Sequence, residues 1–359
     1  MIIDRYLSWE ILRPFAAGLG LLVLVFVGYS AARYLSMAAD GQLDILTAFK
    51  LIGLNLLVTL EILLPTALFF SVLSAVGRLY RDAEMYAVYA SGISRVRVLE
   101  SVLKFSLLIA LFTGFLSIAG RPWAFRTSYE LEAQAAASFD LKKMAAGNFM
   151  ALLGSGYVFF AKDADQDLGV HKRVFLYKQH TEDSSNRGSE LLVAESASLP
   201  MLHPGEAMQA EFTNGYNYML DNREQRDLTL DFKELIVRLP MEEAQERYRA
   251  RAETTLALAN STNPKDIAEY QWRITTPLAT VLLALIAVPL SRMSPRQSRS
   301  RNFFIALLVY IALFSTTSVM RTWVEQDKIG AMPGLWTAYV IEIALLIVLV
   351  TGLPRLKRR

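Results

Sequence analysis

The chain has 359 residues, 53% of them hydrophobic, a net charge of +3 and a mean hydropathy of +0.30. It contains no cysteine, which excludes disulfides, thiolate catalysis and cysteine-ligated metals. Its apolar residues are massed toward both ends around a polar middle third, which points to a membrane part interrupted by one soluble insertion.

A helix needs roughly 20 mostly apolar residues to cross the hydrocarbon core. Six stretches qualify, at about 14–36, 47–76, 99–120, 272–290, 303–322 and 334–353. The first run, Phe15 to Ala32, exceeds the roughly 7–15 apolar residues of a signal peptide, so it is expected to persist as a helix. Basic residues sort the loops. Arg78, Arg81, Arg95 and Arg97 separate the second and third stretches; Arg292, Arg296, Arg299 and Arg301 separate the fourth and fifth. The tail adds Arg355, Lys357, Arg358 and Arg359, whereas the loop from Met37 to Leu46 carries Asp40 and Asp44 and no base. This asymmetry places both termini in the cytoplasm and the insertion outside it. The expected domains are 1–121 with three spans, 122–265 as the insertion, and 266–359 with three more spans.

Within the insertion the pattern becomes short segments of period two. Tyr157–Ala161, Arg173–Tyr177, Leu191–Ala194, Met208–Phe212, Tyr216–Leu220, Leu228–Phe232 and Leu235–Leu239 each read as a strand. Asn214–Gly215 reads as a hairpin turn between two of them. Many short strands at near-regular spacing predict an all-β, jellyroll-like domain. Tyr157-Val158-Phe159-Phe160 is apolar on both faces, as for a strand packed on both sides or one lining a groove for acyl chains. The charged segment after Met241 is expected to be helical, and Asn263-Pro264 supplies an N-cap and N1 proline for the fourth span.

Between the second and third spans, residues 79–91 predict a short cytoplasmic helix. Helical spacing sets Ala83, Tyr86 or Ala87, and Ala90 on one face. Asp82 and Glu84 fall in the first turn and Gly92 supplies the stop. A face of small and aromatic residues fits a groove on another protein; an interfacial helix on lipid headgroups is the alternative, against which the acidic residues weigh. No G-x-x-x-x-G-K-[ST] motif is present, so ATP-driven work needs a separate hydrolysing subunit.

Five cations lie at expected outer ends of spans: Arg33, Lys50, Arg121, Arg273 and Arg321. Any single one is ordinary snorkelling to headgroups. Together they read as a rim that grips a phosphorylated lipid, since guanidinium groups bind phosphate bidentately. Glu61 and Glu342 fall inside apolar stretches, where each is expected to pair with a base or to face a water-filled cavity, pairing ahead of direct function, and Pro65 is expected to kink the second span. The histidines His171, His180 and His203 have no metal-ligand spacing and read as surface or loop residues. An intramembrane enzyme acting on lipid headgroups, or a scaffold for the external domain, are the competing classes. An enzyme would need a nucleophile, an acid–base pair or a metal set in or near the spans, and a scaffold would need neither the rim nor the short cytoplasmic helix.

The opening Met-Ile-Ile-x-Arg-Tyr-Leu, Leu64-Pro65, Gly77-Arg-Leu-Tyr with Glu84 and Ser91-Gly92, and Trp272-Arg273-Ile274 resemble the lipopolysaccharide export permease family (LptF/LptG) across essentially the whole chain, closer to the LptF branch. The resemblance implies a non-catalytic permease half in the Gram-negative inner membrane, with a β-jellyroll in the periplasm. It implies a sibling permease subunit (LptG-like), a dimer of cytoplasmic ATPases (LptB-like) that binds ATP and Mg, and a single-span periplasmic bridge subunit (LptC-like). The cargo is lipopolysaccharide, taken from the outer leaflet through lateral gates of the first and fifth spans; no cofactor and no nucleic acid are implied. Arg33 and Arg321 match lipid-phosphate positions of the family. Glu84, with Ala83, Tyr86, Ala87 and Gly92 around it, falls on its coupling helix.

Overall fold

The computed structural model describes residues 2–39, 43–137, 147, 149–151, 157–165, 170–179, 188–198, 208–221, 228–239, 250–292 and 299–352. Asp40, His180, His203, the 241–249 segment, Arg296 and the tail cations Arg355, Lys357, Arg358 and Arg359 lie outside them. Two units are present: Met1–Ala31, Ile52–Ser128 and Ala250–Arg359 form one, Ala32–Leu51 and Tyr129–Arg249 the other.

The helices in chain order are α1 (Ile2–Ala39), α2 (Ile45–Arg81), α3 (Glu84–Ala90), α4 (Arg95–Phe115), a π-helical turn (Leu116–Gly120) and α5 (Arg121–Ala137). After the β region come α6 (Thr255–Ala259), α7 (Pro264–Leu290), α8 (Arg299–Glu325) and α9 (Trp336–Thr351). Among the described residues, five helical stretches are long and apolar enough to cross a membrane: α1, α2, α4 continued through α5, α7 and α8. The sixth expected span is a shorter apolar helix, the 16 residues of α9.

Burial separates these helices into two kinds. The apolar windows of α2 and α7 are 56% and 61% buried, those of α1 and α8 only 11% and 17%. The spine is therefore α2 and α7, with Leu68, Phe69, Val72 and Val76 packed with Ile11, Val102, Ala284 and Ile286, while α1 and α8 present most of their apolar surface outward. As expected from its sequence, α7 begins at Pro264 with the Asn263 side chain accepting from the Lys265 amide at 3.0 Å. The π turn also has a local cause. Pro122 has no amide to donate to the carbonyl of Ile118 four residues earlier, and the Thr255 hydroxyl donates to that carbonyl instead at 2.9 Å.

The β unit holds one six-stranded antiparallel sheet in the order β1-β2-β3-β4-β5-β6: Phe149–Ala151, Tyr157–Asp165, Val170–Gln179, Gly188–Ser198, Met208–Asp221 and Leu228–Leu239. It is a meander; the second sheet that a jellyroll requires is not among the described residues. Two expectations are corrected. Asn214–Gly215 is not a hairpin but lies inside β5, and the segments on either side of it form one strand. Likewise Leu228–Phe232 and Leu235–Leu239 are one strand, β6.

The cause is a crease. The ladder skips the row Lys162, Arg173, Glu195, Asn214 and Lys233, β2 to β6 each contributing one unpaired residue, and the register stays constant on either side. Arg173 and Asn214 take positive φ of 54° and 51°. An extra residue shifts the side-chain alternation. Accordingly the core face passes from Leu176 and Val174 to His171 in β3, and from Leu192 and Ala194 to Ala197 in β4. Thus the αL conformation that Asn214 tolerates is used to bend a strand rather than to close a hairpin. His171, expected at the surface, is instead buried in β3 with its ring 5.8 Å from that of Phe159.

One face of the sheet packs Tyr157, Phe159, Val174, Leu176, Leu192 and Phe212. The opposite face carries a second apolar row in direct register, Phe149, Phe160, Phe175, Val193 and Tyr216. That row and the crease residues line an open groove of about 860 Å³, which explains why Tyr157–Phe160 is apolar on both sides. A Cβ at Gly215 would collide with the Val193 carbonyl oxygen and lie 2.8 Å from the Phe232 ring. Gly215→Ala is therefore expected to destabilise the sheet by about 1–3 kcal/mol, in the range of overpacked cores. Limited proteolysis of the full-length protein, scored at the β unit, reads the loss.

Candidate functional site

Three helices of the first unit bring arginines to one carboxylate. Glu269, in the second turn of α7 and 1% exposed, accepts from Arg121 Nε at 2.7 Å, Arg273 Nε at 3.1 Å and Arg321 Nη2 at 2.8 Å. The first comes from the start of α5, the second from one turn along α7, the third from α8. Arg121 also reaches Glu61 of α2 at 2.9 Å, which fulfils the pairing expected for Glu61. The remaining demand of Glu61 is met by Ser117 of the π turn at 2.9 Å and by the Trp272 indole N–H at 2.8 Å. Arg321 is held on its own helix by Glu325 at 2.8 Å, and its guanidinium stacks 4.8 Å from the Trp272 ring.

Among the described residues, three arginines thus face three glutamates, and the cluster is formally neutral. Buried charges persist only when paired and hydrogen-bonded. Arg273 shows how complete that satisfaction is. It is fully buried, and its five N–H groups go to Glu269, the Glu253 carbonyl, the Thr255 hydroxyl and the carbonyls of Ala250 and Arg251. Its donors are spent on holding the chain that enters α6 and α7, with none left over for a phosphate.

The five cations singled out from the sequence therefore fall into different settings. Arg121 and Arg273 are buried in the cluster; Arg321 belongs to it but its side chain is 15% exposed. Arg33 and Lys50 lie in the second unit and are exposed, Arg33 with its guanidinium 5.4 Å from the Tyr34 ring. Glu269 was not among the sequence candidates; its one local signal is the Glu269–Arg273 spacing of four on a helix. Glu342, for which pairing was also expected, is buried, and its Oε2 has no hydrogen-bond partner among the described residues. Among the described residues no group of His, Asp or Glu could hold a metal.

The short helix between α2 and α4 starts later than its sequence implies. Residues 79–81 complete α2, and Ala83 takes an αL conformation at φ 60°, so α3 spans only Glu84–Ala90. Ala83 is thus the residue before the helix rather than part of its face. Met85 anchors α3 at 1% exposure, while Glu84, Tyr86, Ala87 and Ala90 are exposed. Gly92 follows at φ 88°, a value that favours glycine at a helix stop.

The α3 segment is tied to the beginning of α1. The Tyr6 hydroxyl donates to Glu84 Oε2 at 2.5 Å, and Arg78 pairs with Glu10. Asp4 accepts from Arg97 at 2.9 Å and from the Ser101 hydroxyl at 2.5 Å, linking α1 to α4.

A family model described as "Lipopolysaccharide export system permease LptF/LptG" matches residues 5–352. Similar proteins include "Lipopolysaccharide export system permease protein LptF" of Escherichia coli (strain K12) and the protein of the same description in Shigella flexneri. Each is 28% identical over 356 residues, which is 97% of this chain and 94% of the relative.

The cluster makes a sharp energetic prediction. Removing one partner of a buried ion pair costs about 3–5 kcal/mol because a charge is left uncompensated. Arg121→Gln should lower the detergent-solubilised protein's thermal midpoint markedly. Adding Glu61→Gln should restore much of the loss, giving a non-additive cycle by differential scanning fluorimetry.

Proposed function

The chain belongs to the LptF/LptG family of lipopolysaccharide export system permeases, and on that premise we propose that it is one half of an ABC transporter driven by a separate ATPase. The half resides in the inner membrane with six spans, α9 being the sixth, both termini cytoplasmic and the β domain periplasmic. Its partners are a sibling permease subunit, a dimer of cytoplasmic ATPases and a single-span periplasmic bridge. It takes lipopolysaccharide from the outer leaflet and passes it to the bridge.

The observation that carries this reading is α3. A seven-residue helix set off from α2 by an αL residue, anchored by Met85 and showing Tyr86, Ala87 and Ala90 outward, is shaped to seat in a partner's groove. Glu84 at its first turn is the charged contact. Because Tyr6 holds Glu84 and Glu10 holds Arg78, a displacement of α3 by closing ATPases pulls directly on the start of α1. The outward apolar surfaces of α1 and α8 support their assignment as the lateral gates where the sibling subunit and the lipid meet the chain.

Arg33, Lys50 and Arg321 are the proposed contacts for the lipid's phosphates, each on its own helix. Arg121 and Arg273 keep a supporting role: they fix Glu269, and Glu269 fixes Arg321. The groove along Phe149, Phe160, Phe175, Val193 and Tyr216 is where acyl chains rest on their way to the bridge, within a domain proposed to complete a jellyroll.

Two experiments test the reading. Glu84→Arg should abolish co-purification of the nucleotide-hydrolysing partner, and Tyr6→Phe should retain the partner but lower lipid release per ATP hydrolysed. A partner still bound to Glu84→Arg would contradict the role given to α3. Arg33→Glu combined with Arg321→Gln should abolish crosslinking of lipopolysaccharide to α1; unchanged crosslinking would remove both as phosphate contacts.

A further inference from the structure

We propose that Glu325 is an internal stand-in for the lipid phosphate at Arg321, so that loading and release at this position are an exchange of anions. The inference rests on the reading of Arg321 as a phosphate contact. A guanidinium offers Nε and Nη2 along one edge suited to bidentate binding of an oxyanion. On Arg321 both are taken: Nε by Glu325 Oε1 at 2.8 Å and Nη2 by Glu269 Oε2 at 2.8 Å. Nη1 has no partner among the described residues.

The two carboxylates are not equivalent. Glu269 is 1% exposed and is shared with Arg121 and Arg273, so three cations fix it in place. Glu325 lies one turn further along α8, its side chain is 36% exposed, and Arg321 is its one ion-pair partner among the described residues. The cluster is already neutral, so an arriving phosphate adds surplus negative charge where the local dielectric is low. That surplus is relieved when one carboxylate leaves for water. Glu61 and Glu269 are too deeply held to do so. Glu325 is the member able to leave.

The remaining geometry suits an exchange. Glu269 and the Trp272 ring hold the guanidinium plane while its partner on Nε changes. Phosphate replaces Glu325 on Nε, on the edge that Nε shares with Nη2. When lipid moves on, Glu325 recaptures the arginine, and the cation is never left bare in a partly buried setting. A transporter needs a grip weak enough to be undone, and a tethered competitor supplies that.

The test uses the purified complex with its partner subunits and, as probe, bisphosphorylated lipid A alongside the same lipid stripped of its phosphates. Glu325→Gln keeps the size and an acceptor oxygen but removes the competing charge. Retention of the phosphorylated probe should tighten roughly two- to fivefold, the worth of a partly exposed ion pair, while its release per ATP hydrolysed falls. Retention of the stripped probe should not change, and Glu325→Asp should restore release. A purely structural role for Glu325 would weaken retention of both probes. Unchanged or weakened retention of the phosphorylated probe in Glu325→Gln, with Arg321→Gln still losing it, overturns the exchange and leaves the phosphate contact standing. Unchanged retention in Arg321→Gln overturns both.

Discussion

A single carboxylate, that of Glu269, sets where three helices of the first unit meet. Arg121, Arg273 and Arg321 approach it within 3.1 Å from α5, α7 and α8, and Glu61 extends the set to α2 through Arg121. Bringing such charges out of water is costly, and only mutual pairing with full hydrogen bonding offsets the cost. The contribution is specificity more than strength. Apolar helices in lipid have no hydrophobic force between them and rely on close packing and interhelical hydrogen bonds, and a fork of N–H donors against a fixed carboxylate supplies a directional one. With that arrangement set, the proline break at 122 falls where the π turn can offer Ser117 to Glu61 and where Thr255 can take the Ile118 carbonyl.

The same physics divides labour among the basic residues. A fully satisfied arginine such as Arg273 organises the chain around it. Arg321, with Nη1 unpartnered among the described residues and its side chain 15% exposed, is instead aimed by its neighbours. Toward the other end of α2, the ties from Asp4, Tyr6 and Glu10 to Arg97, Glu84 and Arg78 join the start of α1 to α4, to α3 and to the end of α2.

Much of this was legible in the sequence because it is local. Apolar runs gave five helices and the shorter sixth one, Asn263-Pro264 gave the start of α7, and period-two segments gave the strands. The errors come from residues that break local periodicity on purpose. Asn214 and Arg173 use αL geometry to crease a continuous sheet, a pattern that in one strand alone looks like a turn. Ala83, an ordinary helix former, takes αL and shortens α3, which composition does not signal. Glu269 was missed because its partners lie 148 and 52 residues away, and Tyr6 because Glu84 lies 78 residues on. Five cations at chain positions suggesting one depth were visible. That three of them share one anion was not.

The central claim, that Glu269 fixes the relative placement of α5, α7 and α8, is open to a direct measurement because the chain has no native cysteine. Spin labels attached at Trp123→Cys on α5 and Val319→Cys on α8, both at exposed positions, report the distance between those helices by double electron–electron resonance. The account predicts one narrow distance distribution in the labelled protein and a broadened, shifted one when Glu269→Gln is added. An unchanged narrow distribution in the Glu269→Gln background would contradict it.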